Sequence, residues 1–254
     1  MTSHREGARL RGGLIRGMGA ALISLGLALA VFCGFMLWGT NVAGDQASAQ
    51  ILELASEELG QSSVAGAPTP EGTNRPAATG DQVPGAGGDT GRDVRETQSA
   101  VENGELIAVV TIPSIDVEIP VLEGMDGDIL DEGVLGHYPG TQSPGEVGNF
   151  AVAGHRTTHG APLYDIDEIE VGDAIVVQTS QGWDVYAMER QRVVDPAAIE
   201  VIAPVPDDPD ATATSSWMVL TSCHPKLSAE KRMIAYASLD RHVPRSEGPP
   251  AELD

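Results

Sequence analysis

The sequence predicts a mainly β domain, a small and mostly antiparallel barrel or sandwich, held behind one membrane-spanning helix. Three observations lead there. Between residues 105 and 242 the large apolar residues come in short runs: LIAVVTIPSI, VEIPVLEG, GNFAVAGH, DAIVVQT, WDVYAMERQRVV, WMVLTSC and RMIAYASL. Each is rich in β-branched or aromatic residues and is bounded by Gly, Pro, Asp or Ser, which is how strands are punctuated. Residues 17–38 carry no charge over a length that suits a helix crossing a hydrocarbon core. Residues 60–99 hold almost no large apolar side chain, so burial there cannot offset the entropy of ordering.

The elements follow in chain order. Residues 1–16 contain Arg5, Arg9, Arg11 and Arg16 against a single acid, Glu6, and read as a cytoplasmic tail because basic flanks stay inside. Residues 17–38 are the transmembrane helix. A secretory signal peptide shares the charge pattern, but its apolar region is shorter and a small-residue cleavage site should follow closely. A lipoprotein anchor would use Cys33, but Phe32 stands where a small residue is required. Residues 47–59, ASAQILELASEEL, set Ile51, Leu54, Ala55 and Glu58 at helical spacing and predict a short juxtamembrane spacer helix. With the Gly, Pro, Ser and Asp text after it, residues 39–104 form a juxtamembrane helix and flexible linker. The folded unit is residues 105–242, with room for a helical turn near 126–132 and another near 196–202. Residues 243–254 resemble the linker in composition and predict a disordered tail.

Charge narrows the range of functions. The chain has 254 residues and a formal charge of −22, which repels phosphates and excludes nucleic acid as a partner. It has two cysteines. Cys33 lies inside the apolar stretch, so Cys223 is left without a pairing partner in a compartment where thiols pair, and it needs another reason to be there.

Cys223 ends one strand-like run and Arg232 opens the next. A hairpin across HPKLSAEK returns the guanidinium to the thiol. There it favours a thiolate and can donate hydrogen bonds to the oxyanion of an attacked carbonyl; otherwise it is an ordinary charge at a strand end. A leaving amine must also be protonated, and six histidines compete for that role. His4 precedes the membrane segment and His242 begins the tail. His224 adjoins the thiol but points to the opposite face of a strand. His137, His155 and His159 remain, and His155 closes the run GNFAVAGH where a loop opens. A metal reading pairs His155 with His159 as two ligands on a helical face, but Thr157, Thr158 and Gly160 oppose a helix and no glutamate stands where a zinc hydrolase would need one; no metal and no cofactor are expected. Asp165, Asp167, Glu168 and Glu170 either gather round a cation or form a solvated acidic face.

TSCHPKLSAEKR, taken with GNFAVAGHRTTHGAPLY, resembles the sortases, membrane-anchored cysteine transpeptidases of Gram-positive bacteria. Thr221, Cys223 and Arg232 fit the family's strand end with arginine nine positions after the cysteine, and Ala153, Gly154, His155 and Arg156 match its histidine segment. The resemblance covers residues 106–239. It implies a closed or partly closed β-barrel of about eight strands with short helices, in which Cys223, His155 and Arg232 are catalytic and Tyr138 and Thr221 bind substrate. HYPGTQSPGEVGNFAVAGHRTTHGAPLY is most similar to the class E housekeeping enzymes of high-GC bacteria, whose preference for Leu-Ala-x-Thr-Gly over Leu-Pro-x-Thr-Gly goes with a tyrosine that Tyr138 matches. Ser222 stands where threonine is common in the family, and His159 where tyrosine is common.

The implied reaction cleaves the signal between Thr and Gly and joins the surface protein to an amine of a lipid-linked cell-wall precursor, without ATP. The implied partners are surface-protein precursors with a C-terminal sorting signal, the wall precursor, and the membrane through the N-terminal helix, with the catalytic domain outside. A papain-like peptidase would place its cysteine before the histidine and at the start of a helix. An L,D-transpeptidase would have the arginine closer to the cysteine. A non-catalytic anchored barrel that binds such signals or wall peptides is the alternative from another class.

Overall fold

Alternation of apolar side chains along short strands closes a barrel, as a computed structural model of the protein, describing residues 3–61 and 101–253, shows. Its strands are β1 (Leu106–Ile112), β2 (Val117–Glu123), β3 (Leu135–His137), β4 (Gly148–Ala153), β5 (Ala174–Gln178), β6 (Gly182–Val194), β7 (Ser216–His224) and β8 (Lys231–Pro244). Around the barrel they run β1-β2-β3-β4-β7-β8-β6-β5, and β5 returns to β1. Closure leaves no free edge. On β1, Ala108, Val110 and Ile112 fill the interior, where they meet Leu135, Phe150 and Leu220. The pairs β2–β3 and β4–β7 are parallel and the other pairs are antiparallel.

The strand β4 is buried at every position because it is covered on both faces. Phe150 and Val152 face the barrel interior, and Ala151 faces Val201 of the β6–β7 connection. Asn149 is fully buried and fixes that connection by donating from Nδ2 to the carbonyls of Val201, at 3.1 Å, and Ala203, at 3.0 Å. The two expected helical turns are α2 (Gly127–Leu130) and a 3₁₀ turn at Ile199–Ile202. At three residues, two of them Leu135 and Gly136, β3 is too short to stand out as an apolar run.

Two expectations at the ends of the chain are corrected. The tail from residue 243 is ordered as far as residue 253. The strand β8 pairs along the thirteen-residue β6 as far as Gly182 opposite Pro244, and 3₁₀ turns follow at Arg245–Glu247 and Ala251–Leu253. Arg241 Nη2 lies 2.7 Å from both carboxylate oxygens of Glu252, and Leu253 packs against the cluster of Val176, Trp183 and Val185. Proline-rich composition hid these contacts because they are made by side chains and not by periodic structure.

At the other end, the expected membrane helix and spacer helix are one helix, α1 (Ser3–Gln61). No proline interrupts it, and its internal glycines cost only about 1 kcal/mol each. Among the described residues α1 is the one helix long and apolar enough to cross a membrane, with Leu22, Leu25, Leu29 and Phe32 exposed. Its far end is no free spacer. Ala55 and Leu59 pack on Val109, the outward residue of β1, and Ile51 packs with Leu122, Ile129 and Val134, whereas Leu54 is 64% exposed. The expected flexible linker falls mostly on residues 62–100, which lie outside the described residues.

Candidate active site

The hairpin of β7 and β8 sets the centre of the site. Its register pairs Ser222 with Met233, Cys223 with Arg232 and His224 with Lys231, so the thiol and the guanidinium sit on adjacent strands at the same level. Cys223 is a free, half-buried cysteine. The Arg232 Nη1 group donates to the carbonyls of Ala229, at 2.9 Å, and Lys231, at 3.0 Å, and among the described residues no carboxylate pairs with this arginine.

On the other side of β7, the parallel strand β4 ends with Ala153 opposite Thr221. The alignment continues beyond the strand. Gly154 N donates to Thr221 O at 3.1 Å, Ser222 Oγ donates to Gly154 O at 2.8 Å, and Arg156 Nη1 donates to Cys223 O at 3.3 Å. Residues 154–156 thus run beside 221–223, which brings the chain at His155 to the level of Cys223. The His155 Nε2 is 2.8 Å from Asp131 Oδ1, just after α2, and its ring lies 4.8 Å from that of His159.

Tyr138 and Thr221 also meet, their hydroxyl oxygens 3.0 Å apart. They stand at the edge of a pocket of ≈ 100 Å³ that Arg232 also lines, with Val194, Ile199, Ile202 and Ile234 as its apolar wall. The β6–β7 connection that forms this wall is tied down by Asp207, which accepts from Arg190 at 2.8 Å and from Tyr236 at 3.1 Å and pairs with Arg192 at 2.6 Å. Burial acts to raise the Asp207 pKa, but these three hydrogen bonds outweigh it and hold the carboxyl below its ordinary value. Burial, with Asp207 alongside, pushes the Tyr236 phenol up to about 12.

The remaining candidates are drawn away from the thiol. His137 is buried, with Nδ1 2.6 Å from Glu123 and Nε2 2.9 Å from Thr141 Oγ1. His242 pairs with Asp184. The acidic group divides between two cations of the protein itself: Asp165 binds Lys226 at 2.9 Å and raises its pKa, and Asp167 binds Arg156.

Sequence reasoning missed three contributors. Asp131 sits in a loop remote from the motifs and carried no signal. Arg156 is only 2% exposed, and its three-way clamp on Tyr164 O, Cys223 O and Asp167 was hidden because arginine ordinarily faces solvent. Gly44 of α1 is buried against the backbone of His159. A Cβ there would lie 2.3 Å from His159 C, so only glycine allows the helix to come so close to the histidine loop.

Comparison with known proteins fits this geometry. The Sortase domain model matches residues 110–240, just over half of the sequence, and the chain belongs to the sortase family, whose members are cysteine transpeptidases. Within the family it is class E-like. It is 32% identical over 245 residues to sortase SrtE1 of Streptomyces coelicolor, a match covering 94% of this chain and 60% of that relative's length. Among solved structures, it resembles the SrtA sortase from Actinomyces oris with a TM-score of 0.56 and 39% identity, over 60% of this chain and 89% of that one. It also resembles sortase E1 from Streptomyces coelicolor, solved with a tripeptide in the active site, with a TM-score of 0.56 and 36% identity over 59% of this chain and 98% of that one.

Proposed function

We propose that the protein is a cysteine transpeptidase that cleaves a C-terminal sorting signal between Thr and Gly and joins the threonine acyl group to an amine of a cell-wall precursor. Cys223, His155 and Arg232 carry the chemistry, and Tyr138 and Thr221 contact the signal. The observation that supports this reading most is the double register at the end of β7: Cys223 opposite Arg232 on one side, and residues 154–156 alongside 221–223 on the other.

In this reading the Cys223 sulfur attacks the threonine carbonyl carbon, and the guanidinium donates to the oxygen as it gains charge. Collapse breaks the C–N bond while His155 delivers a proton to the departing glycine nitrogen, leaving a thioester. The acceptor amine adds to that carbonyl, His155 takes its proton, the new C–N bond forms and the sulfur leaves. The thioester keeps the acyl group activated, so no nucleotide is consumed. Because the Asp131 oxygen accepts, the His155 hydrogen lies on Nε2, and Nδ1 is the nitrogen that exchanges protons.

The apolar pocket beside Arg232 suits the leucine of a Leu-Ala-x-Thr-Gly or Leu-Pro-x-Thr-Gly signal, and Tyr138 at its edge favours the alanine form. Residues 17–38 span the membrane with the amino terminus in the cytoplasm. The barrel lies outside, where the surface-protein precursor and the lipid-linked wall unit both reside. The test is turnover of quenched peptides carrying each signal, with an amine acceptor, by the full chain. Cys223→Ala should abolish fluorophore release, and the alanine peptide should be turned over faster than the proline one. Equal signals from wild type and Cys223→Ala would leave a non-catalytic barrel that binds these peptides.

A further inference from the structure

The loop after β4 does more than carry His155. Asp131, His155 and His159 come from separate turns, yet each offers a ligand atom and these atoms all lie within 4.8 Å of one another. His155 Nε2 is 2.8 Å and His159 Nδ1 3.4 Å from the same oxygen, Asp131 Oδ1. The His159 Nδ1 atom is itself buried and has no hydrogen-bond partner. A spacing of 3.4 Å is long for a hydrogen bond but near the roughly 3.3 Å that separates two ligands of one tetrahedral zinc ion with bonds of about 2.0–2.1 Å.

We propose that Asp131, His155 and His159 bind a divalent transition-metal ion of the zinc type and that occupancy switches off transfer. The ligand set selects the cation: two imidazoles and one carboxylate suit zinc or its neighbours, whereas calcium and magnesium take oxygen ligands. Solvent reaches the cluster from the Asp131 side: that side chain is 51% exposed and both imidazoles are 27% exposed, so water can supply the remaining coordination although His159 Nδ1 itself is buried. Binding displaces the proton from His155 Nε2. A neutral imidazole with one nitrogen on the metal and a hydrogen on the other cannot accept a further proton, so His155 can no longer deprotonate the acceptor amine. This inhibitory consequence rests on the role proposed for His155; the binding itself does not.

The test is calorimetric titration of zinc chloride into the full chain in detergent, carrying Cys33→Ser and Cys223→Ala so that no thiol contributes. One ion should bind per chain. His159→Asn, which tolerates the left-handed backbone at φ 51°, should weaken binding by at least the roughly 10- to 100-fold that follows loss of even an outer partner of a metal site. Cobalt substitution should give a spectrum of nitrogen and oxygen ligation. In the cysteine-containing chain, zinc should inhibit peptide transfer, chelation should reverse this, and His159→Asn should need at least about tenfold more zinc for the same inhibition. Absence of stoichiometric binding, or binding that His159→Asn leaves unchanged while the variant keeps its melting temperature, would overturn the site. Binding without inhibition would overturn the switch and count against His155 as the proton carrier.

Discussion

Two connections flank the β7–β8 hairpin, and they are held in opposite ways. On the Arg232 side, the β6–β7 connection is seated by side chains: Val201 and Ala198 pack against Ala151, Val219 and Tyr236, and Asn149 and Asp207 hold its polar groups. On the Cys223 backbone side, the loop after β4 bends through left-handed backbone at His159, Gly160 and Ala161, and is secured by the fork of Arg156 and the backbone of α1 at Gly44. The first wall belongs to the barrel alone. The second is shared with α1, so the histidine loop also depends on a helix outside the strands of the barrel.

Substitutions can break this contrast, and the largest effect is expected at Arg156. Arg156→Leu takes the donor from two part-buried carbonyls, Tyr164 O and Cys223 O, and from the 40% exposed Asp167, and should lower barrel stability by about 3 kcal/mol, read by urea unfolding. Arg156→Lys should recover little, because a single ammonium cannot span the same acceptors. Full stability in either variant would mean the second wall does not need its clamp.

Asp207→Asn should cost about 2 kcal/mol through weakened charge-assisted bonds to Arg190 and Arg192. Its pH dependence has a definite sign. The folded-state pKa is depressed, so the contribution is present above the ordinary value of 3.8 and is lost as pH falls through the lower folded value. The stability gap between wild type and Asp207→Asn should stay flat at neutral pH and close in acid; a gap that widens in acid would refute the assignment.

A smaller global change is expected from Gly44→Val, about 1 kcal/mol, but it should be concentrated on the second wall. Amide exchange across residues 157–161 should speed up while the β6–β7 connection keeps its protection. Equal change on both walls would erase the distinction drawn between them. Tyr138→Phe should be mildest, at less than about 1 kcal/mol for one hydroxyl pair with Thr221, and should shift peptide KM more than kcat.

The same contrast explains what was legible in the sequence. The Cys223–Arg232 pairing is local, nine residues round a hairpin, and antiparallel register follows from the turn. The barrel's longer strands could be read because they alternate or run apolar. By contrast, residues 154–156 come alongside 221–223 through parallel pairing across almost seventy residues, which no spacing rule encodes; the end of an apolar run favoured His155 among the histidines, and the family resemblance gave it a role. Asp131 and the burial of Arg156 depend on where loops close. The seat of α1 was missed because the segment reads as a spacer helix with Leu54 and Glu58 in its set, whereas Ile51, Ala55 and Leu59 pack on the barrel.

The close seat of Gly44 also sets an altitude. If lipid ends at residue 38, as proposed, six residues of helix rise about 9 Å before the chain meets the histidine loop. On that proposal the catalytic mouth would hover just above the headgroups with little vertical play, and clients confined to the same leaflet would reach it by lateral drift, a search in two dimensions instead of three.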